Sequence, residues 1–234
     1  MTGTLRTAFV AMLVIVLAAA GAFAYYTLTD TPFPWQSTEP PSRYLLIVAA
    51  PDDAQAVIAQ VIVLVDTQEG SITGIAPDTQ ATIAGTSYNE LKDAFPFGGG
   101  AAVAEAYSEA TGTRQLPYIV IPAEVLSQTI ADAGGATLTI PAGMDVFDGE
   151  TLYNFTAGTS SLTGAEFMAV LKGRPYLSPT QQRSLDQSLA QTVAVTVGRT
   201  PDNLQTALKT GSAETDIMSD TAITLVESLG DLVP

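Results

Sequence analysis

The sequence predicts a layered α-β-α domain with a mixed central sheet, preceded by a single N-terminal transmembrane helix. Three observations carry this reading. Short, continuous apolar runs such as YLLIVAA (44–50) and VIVLV (61–65) have the branched, unbroken character of strands covered on both faces. Such runs alternate with segments rich in helix formers, the pattern of layered α/β domains. Ala8 to Tyr26 is a nineteen-residue stretch without a charge, long enough to cross about 30 Å of hydrocarbon as a helix.

Each element follows from local chemistry. Residues 1–7 form a short tail with Arg6, and Asp30 and Glu39 lie beyond the apolar run. The positive-inside bias therefore puts the tail in the cytoplasm and the bulk of the chain outside it. A cleaved signal peptide is the alternative, since Ala20, Ala22 and Ala24 supply small residues for cleavage. Residues 27–43 hold four prolines and no apolar period, which reads as an extended linker, so the folded domain spans 44–234.

Ser71 to Ile75 adds a short strand. Gly98-Gly99-Gly100 breaks the chain, and Ala101 to Ala110 is a helix that stops at Thr111-Gly112. Pro117 to Ile121 reads as a strand, Pro122 to Ala133 as a helix with Pro in its first turn, and Ala136 to Ile140 as a strand beyond Gly134-Gly135. From Met144 to Gly158 the pattern predicts a loop. A helix follows Thr163-Gly164 through Leu171, and Ser178 caps another from Thr180 to about Val197. Pro201-Asp202 and Ser219-Asp220 open two short final helices.

Composition excludes whole classes of chemistry. The 234 residues include no His and no Cys, so imidazole bases, thiol nucleophiles and His or Cys metal sites are absent. Nine Lys and Arg against 24 Asp and Glu give a net charge of −15, and nucleic acid is not an expected partner because phosphate neutralisation needs clustered basic residues. At 47% hydrophobic and 14% charged residues, the chain has the composition of a folded domain with a sizeable core.

The ordered series YLLIVAA, VIVLV, GIAPDT, AFPFGGG, LPYIVIP, DAGGATLTIP, LTGAEFMAVLKGR and QQRSLDQ resembles the LytR-CpsA-Psr family of extracytoplasmic cell-envelope proteins, over essentially all of 44–230. The resemblance implies a single-pass membrane protein and a reaction in which a glycopolymer passes from a polyprenyl-pyrophosphate carrier to peptidoglycan with Mg2+. It also implies Arg side chains for the pyrophosphate, Asp for the metal and an apolar tunnel for the lipid tail, walled by the helices around Ala101 to Ala110, Val125 to Ile130 and Phe167 to Leu171.

Against that pattern the chain departs at several positions. Pro77 stands in GIAPDT where the resemblance expects Arg, Ile58-Ala59-Gln60-Val61 lacks two expected charges, and Asp186 replaces the second Arg of an Arg-x-x-Arg-Gln segment. What survives is Asp78, Arg174 and Arg183 as catalytic candidates, Asp78 as the metal ligand, and Lys172, Leu171 and Phe167 as lipid-binding candidates. The expected partners are a polyprenyl phosphate or pyrophosphate lipid, or a lipid-linked glycopolymer, at the cell membrane. Lys92 and Arg114 are further basic residues able to take over from lost Arg.

Two readings stand for each survivor. Arg174 and Arg183 are phosphate contacts or solvated surface charges; Asp78 is a metal ligand or a turn residue bonding nearby amides. The resemblance and the substitutions together predict a catalytically impaired relative that keeps lipid binding, with an active phosphotransferase and a ligand-free envelope scaffold as alternatives.

Overall fold

The computed structural model describes residues 40–52 and 54–232. The tail, the expected membrane span and almost all of the linker lie outside the described residues, among which no helix is long and apolar enough to cross a membrane.

Four strands form the central sheet: β1 (Arg43–Pro51), β2 (Val57–Asp66), β3 (Ser71–Ile75) and β4 (Tyr118–Pro122), in the order β3-β2-β1-β4. The three strands of the meander pair antiparallel and β4 joins β1 in parallel, so the sheet is mixed. Alternate residues of β1 feed two separate cores. Tyr44, Leu46 and Val48 point into one, Leu45, Ile47 and Ala49 into the other, as the period of two in a strand requires. Burying each such Leu, Ile or Val contributes about 1.5–3 kcal/mol.

Helix α1 (Phe95–Thr111) covers one face through Val103, Ala104 and Tyr107. The other face is covered by α2 (Ala123–Asp132), α3 (Gly164–Gly173) and α4 (Pro179–Arg199), with Leu126, Ile130, Phe167, Val170, Leu185, Leu189 and Val193 in the core. This is the three-layer arrangement read from the sequence. Two short helices, α5 (Asp202–Thr210) and α6 (Ser219–Ser228), complete it.

The structure departs from the sequence reading in three places. Residues read as a loop contain the hairpin β6 (Met144–Phe147) and β7 (Leu152–Phe155), and Gly158–Leu162 forms β8, paired with β5 (Ala136–Ile140). Strands of four residues with only Met144, Val146 and Phe155 buried offer too few alternations to show a period. Helix α1 begins at Phe95, before the glycines, and is interrupted at Gly98 and at Gly99, whose φ is +61°, so the triplet kinks the helix. Strand β2 starts at Val57, because a bulge opposite Val48 and Ala49 skips Gln60 and lets pairing continue.

Candidate functional site

Arg174 stands at the junction of α3 and a 3-10 turn, Arg174–Tyr176. A capping box starts α3: the Glu166 amide donates to the Thr163 hydroxyl and the Thr163 amide to the Glu166 carboxylate. Pro175 stops it. A side chain at Gly173 would meet Met144 and Val146 within 2.7 Å, so glycine there lets the β6–β7 hairpin seat against the helix end and fix where Arg174 begins.

The guanidinium is held by two carboxylates from distant segments. Arg174 Nε donates to Asp186 Oδ1 at 2.6 Å and Nη2 to Asp186 Oδ2 at 2.8 Å, a bidentate pair; Nη2 also donates to Asp78 Oδ1 at 3.1 Å. The side chains of Arg174 and Asp186 are 8% and 5% exposed, Asp78 37%. Asp186 reaches this point because β3 crosses α4 there: a Cβ on Gly74 would lie 2.4 Å from the Asp186 carbonyl oxygen. Gln187 ties the crossing, accepting from Gly74 N and donating to the Ile72 carbonyl, both at 2.9 Å.

Asp78 arrives on the turn after β3. The Thr79 hydroxyl and amide, both donating to the Ala76 carbonyl, close that turn. Burial pushes the Asp186 carboxyl above its ordinary pKa, Arg174 draws it back, and the Asp78 charge adds to the rise. Burial favours the neutral form of Arg174, but the two carboxylates outweigh it and hold the guanidinium firmly cationic.

Beside this pair lies a cleft of about 220 Å³ lined by Asp52, Ile58, Gln60, Pro77, Lys92, Leu171, Lys172, Arg174 and Pro175. Gln60, the skipped residue of the β2 bulge, is there because the bulge redirects it. Lys92 comes from a 3-10 turn, Leu91–Ala94, stitched to the Asp78 turn by Lys92 N donating to the Pro77 carbonyl at 2.8 Å; its ammonium pairs with Glu90 at 2.6 Å. Lys172 Nζ donates to the Asp148 carbonyl at 3.4 Å. Three cations thus meet four carboxylates: Asp52, Asp78, Glu90 and Asp186.

Of the residues singled out from sequence, the structure brings Arg174, Asp78, Lys172, Leu171 and Lys92 together. Arg183 is exposed, donates to Thr180 on its own helix at 3.5 Å and does not line the cleft. Phe167 is fully buried in the core. Asp52 and Glu90 were not legible as site residues, since only the folding of the β1–β2 and β3–α1 connections places them there. Asp78, the expected metal ligand, turns Oδ1 to the Arg174 guanidinium, and among the described residues no group of three acidic side chains is placed to hold a metal ion by itself.

The helices expected to wall one lipid tunnel pack into different cores. Residues of 101–110 lie in one, those of 125–130 and 167–171 in the other, on opposite faces of the sheet. A cavity of about 610 Å³ is lined mainly by hydroxyls and other polar groups, including Thr137, Thr139, Ser188, Thr192 and Thr196. In α1, Gly100 N donates to Glu214 Oε1 at 3.0 Å, so this amide has an internal acceptor.

Solved structures with this arrangement of strands and helices exist. B. subtilis TagV matches with a TM-score of 0.57 and 14% identity, over 82% of this chain and 81% of that one. A LytR-Csp2A-Psr enzyme from Actinomyces oris matches with 0.58 and 19%, over 82% and 77%. TagT bound to LIIa-WTA matches with 0.58 and 15%, over 84% and 78%. The chain has the LytR-CpsA-Psr fold. No family sequence model and no curated protein sequence matches it. Within that fold, Pro77 lines the cleft and Asp186 occupies Arg174, at two positions where the sequence resemblance expects arginine.

Proposed function

We propose that this is a membrane-anchored, extracytoplasmic protein of cell-envelope biogenesis that binds polyprenyl-linked glycopolymer precursors and has lost transfer activity. The observation that carries the reading is the closed ion pair. In a transferase the guanidinium at this place must be free to stabilise developing phosphoryl charge, which is worth orders of magnitude in rate. Here Asp186 and Asp78 take Nε and Nη2 of Arg174, and Pro77 contributes no charge. Lys92 and Lys172 at the same cleft favour a second reading, an active transferase with replaced cations. Against it, Lys92 is paired with Glu90, and carboxylates outnumber cations.

Exposed apolar side chains on elements next to the cleft support tail binding. Phe147 and Leu152 face each other across the β6–β7 hairpin and are 64% and 58% exposed; Tyr176, two residues beyond Arg174, is 72% exposed. Several hundred Å² of prenyl chain laid on such a surface contributes at about 25 cal/mol per Å², enough for binding to outlast chemistry.

The test is a titration of the full-length chain in detergent micelles with polyprenyl phosphate, alongside a transfer assay with a lipid-linked donor and Mg2+. Saturable binding that Phe147→Ser and Tyr176→Ser weaken, with no turnover above background, is expected. Turnover abolished by Arg174→Ala overturns the loss of activity; absence of saturable lipid binding overturns the binding role.

A further inference from the structure

The cleft has an unequal supply of donors. Arg174 is 6% exposed and lines it, and of its three guanidinium nitrogens Nε and Nη2 are committed to carboxylates. Among the described residues none bonds Nη1. Lys172 donates to the Asp148 backbone carbonyl at 3.4 Å and its charge also acts on the Asp148 carboxylate, but most of its donor capacity stays unused. Lys92 lines the same cavity with its charge balanced by Glu90. The cavity, about 220 Å³, therefore offers an edge of one guanidinium and one or two ammonium groups, surrounded by carboxylates that repel additional negative charge.

We propose that this cleft is a single-phosphate site, and that Asp186 sets its preference for a phosphate monoester over a diphosphate. A monoester brings roughly −1.5 to −2 charge at pH 7; Arg174, already balanced by Asp186 and Asp78, offers Nη1 as a hydrogen-bond donor, and Lys172 supplies positive charge. A diphosphate adds a second phosphoryl group, and the guanidinium edge it needs is held by Asp186. In this respect Asp186 is a built-in competitor: its carboxylate makes the fork-to-fork contact with Arg174 that a second phosphoryl group makes with a free guanidinium. The inference rests on the reading of this cleft as the head-group end of the lipid site, and it assigns the spent, monophosphate form of a carrier as the better ligand. A free phosphate and the head of a lipid share this chemistry.

The experiment uses the full-length chain in detergent at low ionic strength, titrated calorimetrically with inorganic phosphate, pyrophosphate and polyprenyl monophosphate. Wild-type protein is expected to bind phosphate at least several-fold more tightly than pyrophosphate. Asp186→Asn, which keeps size and one acceptor while removing the charge, should invert that order. Lys172→Gln should weaken both anions at least threefold with an unchanged melting temperature, and it carries the test if Asp186→Asn fails to fold. Tighter pyrophosphate binding by wild-type protein, an unchanged order in folded Asp186→Asn, indifference to Lys172→Gln, or no binding of either small anion each overturns the proposal. Phosphate binding without any gain for the polyprenyl ester leaves this site standing and removes the lipid-binding reading instead.

Discussion

With Nε and Nη2 bonded to Asp186 and Asp78, Arg174 joins the end of α3, the second turn of α4 and the turn after β3. A buried pair of this kind adds little over well-packed apolar residues, yet removing one partner strands the other charge. Arg174→Ala should therefore destabilise the fold by about 3 kcal/mol, read from chemical denaturation. Arg174→Met combined with Asp186→Leu should recover most of that loss. A double variant no better than the single one would show that the pair acts through something other than charge burial. The same residues give Asp78 a role that neither sequence alternative named: its carboxylate is a third member of an ion cluster that assembles only when three segments meet.

At the level of elements, α4 does for two strand edges what a neighbouring strand does elsewhere. Gln187 satisfies Gly74 N and the Ile72 carbonyl on β3; Ser188 accepts from Thr139 N at 3.0 Å, and Thr192 donates to the Thr137 carbonyl at 2.8 Å on β5. Exposed edges invite pairing with other chains, and polar helix side chains cover these. Gly74 sits where β3 touches the helix backbone, so Gly74→Ala should cost about 1–3 kcal/mol through overpacking, and the displaced Asp186 should loosen its hold on Arg174. A melting curve matching wild type would contradict that contact.

The β6–β7 hairpin offers a pH test. Asp148 at its tip accepts from Thr151 N at 2.8 Å and Glu150 N at 2.9 Å, and these bonds, Thr151 first, hold its carboxyl below the ordinary range. A depressed folded-state pKa gives stability that is present above the unfolded carboxylate value of about 4 and lost as pH falls through the folded value. Asp148→Asn keeps an acceptor but does not titrate. Its urea midpoint should therefore decline less steeply than that of wild type between about pH 5 and pH 3. A steeper decline would reverse the sign assigned to Asp148.

Over the whole molecule, 24 acidic side chains face nine basic ones. Self-repulsion of a net charge of −15 opposes the compact state, and salt relieves it. Raising ionic strength from about 0.01 M to about 0.15 M shortens the Debye length from roughly 30 Å to roughly 8 Å. The thermal midpoint of the intact protein should rise across that interval, while the buried Arg174–Asp186 pair responds little. A midpoint that falls with salt would mean that surface ion pairs outweigh repulsion.

The amino-acid sequence alone determined the layered architecture, because unbroken branched apolar runs such as YLLIVAA have no stable place except between two covering layers, and helix ends at Thr111-Gly112 and Ser178-Pro179 are written in local chemistry. It determined also which residues stand where the family resemblance expects arginine, since that needs only order along the chain. Only the tertiary structure decided what those replacements do. Asp186 read as a missing charge and proved to be the partner of Arg174; Arg183, three residues earlier on the same helix, read as a survivor and faces solvent. The helices read as walls of one tunnel were parted by the sheet. Local pattern fixes which face of an element is apolar. Which charges then meet depends on crossings such as Gly74 on Asp186, set by the packing of segments distant in sequence.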